Sequence, residues 1–276
     1  MLRRNSMPSA YLSLPRPRLF GHRGSSAAFP ENTLPAFQAS VDAGLPYLEL
    51  DVWASYDGAV VVHHDPTPAR TCGIDVAISS LPLDELLCLD AGFSYSTADG
   101  GNFPFRGRGV RIPTLEEVLL AFPDTRVNIE IKQASPPIEG LVVETVRRCK
   151  AQERVLIASE HDEVLARLRP LCPEIPTNFG FLETTAFFNW ARGGCSGRYQ
   201  PPGQALQIPP HWQRQKLVTV ESLAAAHLAG VEVHVWTIND PNEMRALLAL
   251  GVDGLMSDYP DLLAKIAMGN NSSSHS

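Results

Sequence analysis

The chain has 276 residues, 44% of them hydrophobic, which is enough for one large domain with a sizeable core and excludes wholesale disorder. A formal net charge of −7 argues against a nucleic-acid partner held by a basic surface, because phosphate-backbone affinity depends on excess Lys and Arg. A small phosphate-bearing substrate stays open, since a few local cations and a metal override the mean charge.

Residues 1–17 carry Arg3 and Arg4 but are broken by Pro8, Ser9, Ser13 and Pro15, and they never reach the apolar run of a signal peptide. No stretch is long and apolar enough to cross a bilayer, so the cytoplasm is the expected compartment. Cys72, Cys88, Cys149, Cys172 and Cys195 are odd in number and irregularly spaced, which predicts reduced thiols.

A first strand is predicted over 18–21, followed by a helix over 33–43 with Leu34, Phe37 and Val41 on one face. Gly44 suits the left-handed cap after that helix, and a strand over 47–51 comes next. The valine run Val60–Val62 reads as a further short strand. From 66 to 112 the chain is turn-rich (Gly73, Gly92, Gly100, Gly101, Gly107, Gly109), with one helical pattern near 82–87. It reads as an elaborated active-site loop or small subdomain. Thr114 and Glu117 then form a capping box.

Strands are predicted over 127–132, 155–159, 176–181 and Ala205–Ile208, with helical patterns over 138–149 and 163–169. A second irregular stretch spans 193–203. The helix–Gly–strand unit recurs as 219–229, Gly230 and 231–237, and again as Pro241–Leu250, Gly251 and 252–257. The tail over 269–276 is small and polar, and disorder is expected there.

Strands alternating with helices imply parallel pairing, because each crossover returns the chain to the same edge. Eight candidate strands favour a closed TIM-type (β/α)8 barrel over 18–268, after an N-terminal extension over 1–17. The 66–112 segment is then a small insertion between the second strand and the following helix.

Polar residues fall at the carboxyl ends of several strands, where barrel active sites are built. Glu49 and Asp51 stand two apart, so a strand points both to one face, where they repel unless a cation lies between them. A divalent ion with oxygen ligands, Ca2+ or Mg2+, answers this economically, and Glu130 could supply a third oxygen. The plainer alternative is a salt-bridged polar strand end. His22 and His64 are the evident proton-transfer pair, whereas alternation turns His63 the other way. Arg23 and Lys132 offer fixed positive charge to a phosphate, to the neighbouring carboxylates, or to both at once. Trp236 either walls the pocket or packs.

Together these residues resemble the glycerophosphodiester phosphodiesterase family. The family's HR, ExD and HD signature stands here as His22-Arg23, Glu49-Leu50-Asp51 and His64-Asp65. Flanking text agrees in Gly21 and Gly24, Pro30-Glu31-Asn32-Thr33, Arg70-Thr71, Asn128-Ile129-Glu130-Ile131-Lys132, Val235-Trp236-Thr237, and Asp258-Tyr259-Pro260, so the likeness covers about 19–262. Glu160 and Ser257 depart from the usual Phe and Thr, and Pro68 interrupts the segment after His64-Asp65, but none removes a proposed ligand.

The resemblance implies a barrel enzyme with one divalent cation on Glu49, Asp51 and Glu130, and with His22 and His64 moving protons, here assigned as acid and base respectively. It further implies that Arg23 and Lys132 hold phosphate, that Trp236 lines the glycerol pocket, and that the products are glycerol 3-phosphate and an alcohol. The rival reading is a lysophospholipase D-type enzyme, motivated by the apolar 179–190 region (Phe179, Phe181, Leu182, Phe187, Phe188, Trp190).

Overall fold

The structure, a computed structural model, describes residues 10–96 and 100–271. Seven parallel strands form a curled sheet: β1 (Arg18–His22), β2 (Tyr47–Ala54), β4 (Arg126–Ile131), β5 (Val155–Ala158), β6 (Ala205–Ile208), β9 (Glu232–Val235) and β10 (Gly254–Ser257). Their order is β5-β4-β2-β1-β10-β9-β6. Parallel bridges Ile157–Thr177 and Asn178–Ala205 join the two outer strands, so a short eighth segment closes the ring.

That segment corrects one expectation, a strand over 176–181. Only Thr177 and Asn178 bridge, and a helix begins at Phe181. The Asn178 side chain takes over part of the ladder: its Oδ1 accepts from Ser159 N at 3.0 Å and its Nδ2 donates to Ser159 O at 3.1 Å. On the other side Gly203 lets the backbones meet, since a Cβ there would lie 2.5 Å from Asn178 O.

Helices cover the outside: α1 (Leu34–Asp42), α4 (Leu115–Ala121), α5 (Glu139–Arg148) and α6 (Asp162–Leu171) on one half, with α7 (Phe181–Arg192), α8 (Val220–Ala229), α9 (Pro241–Leu250) and α10 (Pro260–Asn271) on the other. Two cores lie between sheet and helices. One unites Leu48, Leu50, Val127 and Ile129 with Leu115, Val142 and Leu165. The second unites Leu206, Val233 and Leu255 with Phe187, Leu223 and Met244. Helix ends follow the sequence signals: Thr114 and Glu117 complete their capping box, Asp240 caps α9, and Gly230 and Gly251 take left-handed conformations. α10 continues to Asn271; the rest of the expected disordered tail, 272–276, lies outside the described residues, as do 1–9 of the N-terminal extension.

The valine strand, β3 (Val60–Val62), runs antiparallel on β2, with Val52 opposite Val62. It therefore adds no barrel strand. Its reversal carries the chain back toward the carboxyl end of β2, where His63 N donates to Asp51 O at 2.9 Å. Beyond it, residues up to 112 include α2 (Ala69–Cys72) and α3 (Leu83–Leu87), gathered around Val61, Cys72, Ile78, Leu86 and Ile112. A two-stranded hairpin, β7 (His211–Trp212) and β8 (Gln215–Lys216), rises after β6.

Side chains inside the barrel follow the period of two. Arg18, Phe20 and His22 of β1 line up with Tyr47, Glu49 and Asp51 of β2 and with Glu232, His234 and Trp236 along β9. The floor is a buried ion pair, with Arg18 Nη2 donating to Glu232 Oε1 at 2.6 Å. Tyr11 of the N-terminal segment packs edge-on against Tyr47 beside it. The upper layer carries carboxylates and imidazoles.

Candidate active site

β1 ends in Gly21-His22-Arg23-Gly24, and both glycines are required by space. A Cβ on Gly21 would meet Ser40 Oγ at 2.0 Å, and one on Gly24 would meet the Ala36 backbone at 2.5 Å. Arg23 itself is left-handed, with φ 53°, and this turn sends its backbone N–H to Glu49 Oε2 at 3.1 Å. Strand register sets the rest: His22 lies opposite Glu49, Glu49 opposite Asn128, and Asp51 opposite Glu130.

Glu49, Asp51 and Glu130 converge, each offering a carboxylate oxygen within 4.8 Å of the others. Glu49 and Asp51 are buried, while Glu130 keeps its side chain 24% exposed toward the cavity. Burial, with Asp51 and Glu130 alongside, pushes the Glu49 carboxyl up to about 8. Burial raises Glu130 too, against the pull of Lys132. Burial also acts on Asp51, but Lys132, Arg23 and His64 together outweigh it and hold that carboxyl below its ordinary value. Asn32 Nδ2 adds a hydrogen bond to Asp51 at 2.9 Å. Acidic groups crowded this closely fit a divalent cation, which supplies the countercharge they lack and accepts oxygen ligands. The three residues could hold a metal ion.

The cations stand at the rim of this trio. Lys132 Nζ lies 2.8 Å from Glu130 Oε1 and 3.4 Å from Asp51 Oδ1, and Arg23 Nε lies 3.2 Å from Asp51 Oδ2. His22 Nε2 is 4.0 Å from Glu49 Oε2. A cavity of about 470 Å³ opens above them, lined by His22, Arg23, Glu49, His64, Lys132 and Trp236 among others. All eight candidate residues from the sequence thus gather at the carboxyl mouth; Asp51 lies just beneath the cavity lining. Trp236 is 40% exposed there. His63 faces elsewhere, with Nδ1 on Asp65 O and Nε2 on Thr71 Oγ1, both at 2.9 Å.

Several partners were not assigned from sequence. Asp258 accepts from His22 Nδ1 at 2.7 Å and is itself held by Ser26 Oγ at 2.7 Å and Asn239 Nδ2 at 2.6 Å. Burial pushes its carboxyl up, but the His22, Ser26 and Asn239 contacts prevail and hold it at about 2. Alternation along β10 contains the signal, since Gly254 and Met256 face inward and Asp258 is next in that series. Asp65, next to His64 in the HD pair, accepts from His64 Nδ1 at 2.7 Å. Each cavity-lining imidazole is therefore anchored through Nδ1 on a carboxylate, and Nε2 of His22 meets Thr237 Oγ1 at 3.5 Å.

A closed (β/α)8 ring with acids, imidazoles and cations gathered at its carboxyl mouth has the arrangement in which barrel enzymes place their active sites. The comparisons with known proteins make this specific. The model of the glycerophosphoryl diester phosphodiesterase family matches residues 22–262, and the chain belongs to that family. A glycerophosphodiester phosphodiesterase of Caldanaerobacter subterraneus subsp. tengcongensis is 31% identical over 90% of this chain and 96% of its own length. Lysophospholipase D GDPD1 of Mus musculus is 30% identical over 89% of this chain and 84% of its own. Among solved structures, a phosphodiesterase of Oleispira antarctica in complex with the product sn-glycerol-3-phosphate superimposes with a TM-score of 0.76. It shares 27% identity, over 94% of this chain and 99% of the other. Among the described residues no helix is long and apolar enough to cross a membrane.

Proposed function

We propose that the chain hydrolyses glycerophosphodiesters to sn-glycerol 3-phosphate and an alcohol, using one divalent cation, Ca2+ or Mg2+, held by Glu49, Asp51 and Glu130. The observation that carries this reading is the carboxylate trio within 4.8 Å at the floor of a cavity lined by His22 and His64. When bound, such an ion polarises a phosphoryl oxygen and offsets charge in the transition state. Arg23 and Lys132 hold the remaining phosphate oxygens, and their contacts to Asp51 and Glu130 keep both cations at the rim. His64 takes a proton from the attacking hydroxyl, either water or the glycerol 2-hydroxyl, and His22 gives one to the departing alcohol; attack by the 2-hydroxyl leaves a cyclic phosphate that a water then opens to glycerol 3-phosphate. Trp236 walls the glycerol side of the cavity.

A panel of glycerophosphodiesters against Mg2+ and Ca2+, read as glycerol 3-phosphate release, tests the proposal. Release that a chelator abolishes supports it; release indifferent to chelation rejects the role of the ion.

One observation favours a second reading, action on lysophospholipids. A smaller cavity of about 200 Å³ adjoins the first and shares Phe181, Thr184 and Trp212 with it, with Phe188 and Leu217 behind. Phe181 and Trp212 are 57% and 53% exposed, an apolar surface that an acyl chain would cover. Turnover of lysophosphatidylcholine well above glycerophosphocholine, lost selectively in Trp212→Ala, would establish this reading over the first.

A further inference from the structure

The loop that carries His64 is tied to the loop that carries His22 and Arg23 by one side chain, Arg70 of α2. Its Nε donates to Asp65 Oδ2 at 2.7 Å, while Nη1 and Nη2 donate to Glu31 Oε2 and Oε1 at 2.6 and 2.7 Å. Asp65 spends its other oxygen on His64 Nδ1, and Glu31 shares Oε1 with Arg23 Nη1 at 3.0 Å. One guanidinium fork thus joins two carboxylates, each of which touches a residue lining the active-site cavity.

We propose that Arg70 is a positioning residue for His64: by clasping Asp65 to Glu31 it fixes the carboxylate that orients the imidazole, with the β1 loop as anchor. This rests on the catalytic reading above. Magnitudes separate it from the plainer account, an ordinary surface ion pair. Arg70 is half exposed, so solvent screens its ion pairs and limits what they add to stability. Orientation is far more sensitive. Among the described residues the His64 ring has no other hydrogen-bonding partner, and Asp65 is free to rotate once its second oxygen loses Arg70. Partners that orient a functional side chain typically change activity by about 10–100-fold when removed. Lysine keeps the charge but not the planar fork that spans both carboxylates, so it restores only part of the effect.

The test uses the full chain with Mg2+ or Ca2+ and glycerophosphocholine. Arg70→Met is expected to lower kcat by about 10–100-fold with KM and Tm near wild type, and Arg70→Lys to recover part of the loss. In a His64→Ala background most of the effect of Arg70→Met should vanish, because the residue it serves is gone. In parallel, 15N-histidine spectra should show His64 held as the Nδ1-protonated tautomer in wild type and averaging between tautomers in Arg70→Met. An unchanged kcat, an equal loss in both backgrounds, or identical His64 spectra would overturn the proposal. Wild-type protein that cleaves no glycerophosphodiester would instead reject the functional reading, and the spectra would then decide the positioning role alone.

Discussion

His22 Nδ1 sits 2.7 Å from Asp258 Oδ1, which makes a carboxylate just past the last barrel strand the partner of an imidazole at the end of the first. Ser26 and Asn239 complete the coordination of that carboxylate, so it cannot turn away. Asp258→Asn replaces an acceptor by an amide that can present either oxygen or N–H to the ring. We expect kcat to fall about 10–100-fold. Metal affinity should be unchanged, because Asp258 lies outside the carboxylate trio. Steady-state kinetics beside calorimetry checks both halves.

The three histidines at this end of the barrel should separate cleanly. His22→Ala and His64→Ala remove groups lining the cavity and are each expected to lower kcat by about 10²–10⁴-fold. His63→Ala removes two part-buried hydrogen bonds on the far side of the segment. Its cost should appear as about 1–3 kcal/mol of stability with kcat little changed. Equal kinetic losses at all three positions would show that alternation does not govern this segment.

The barrel floor predicts a pH-dependent stability. Burial alone would raise the Glu232 carboxyl, but hydrogen bonds from His234 and Arg18 hold it at about 2. A carboxyl depressed in the folded state stabilises fully above its unfolded value, about 4.3, and the contribution fades as pH falls through the folded value. Glu232→Gln leaves Arg18 buried with its charge unmatched and should cost about 3–5 kcal/mol at neutral pH. Urea midpoints of wild type and variant should therefore converge below about pH 4. A gap that persists undiminished at pH 2 would contradict this.

Much of the site could be read from the chain because strand alternation is a strict rule. Glu49 and Asp51 share a face for the same reason that Leu48 and Leu50 share the other. Helix ends were equally legible, since Thr114, Asp240, Gly230 and Gly251 act through local hydrogen bonds. What sequence could not supply was direction and distance. A valine run has the same pattern in a parallel or antiparallel strand, so the reversal of β3 that delivers His64 to Asp51 was invisible. In the segment read as a strand over 176–181, Asn178 substitutes for ladder bonds through Ser159, 19 residues away, and the helix that opens at Phe181 has the N–H groups of Leu182 and Glu183 held by Asp162, 20 and 21 residues back. Arg70, Glu31 and Asp258 meet their partners across 39, 8 and 236 residues, separations for which no spacing rule exists.

The most direct test is calorimetric titration of Mg2+ and Ca2+ into metal-stripped protein and into Glu49→Gln, Asp51→Asn and Glu130→Gln. One ion per wild-type chain is predicted, with affinity weakened in all three variants. Wild-type protein that binds neither cation, or variants that bind as tightly as wild type, would contradict the account.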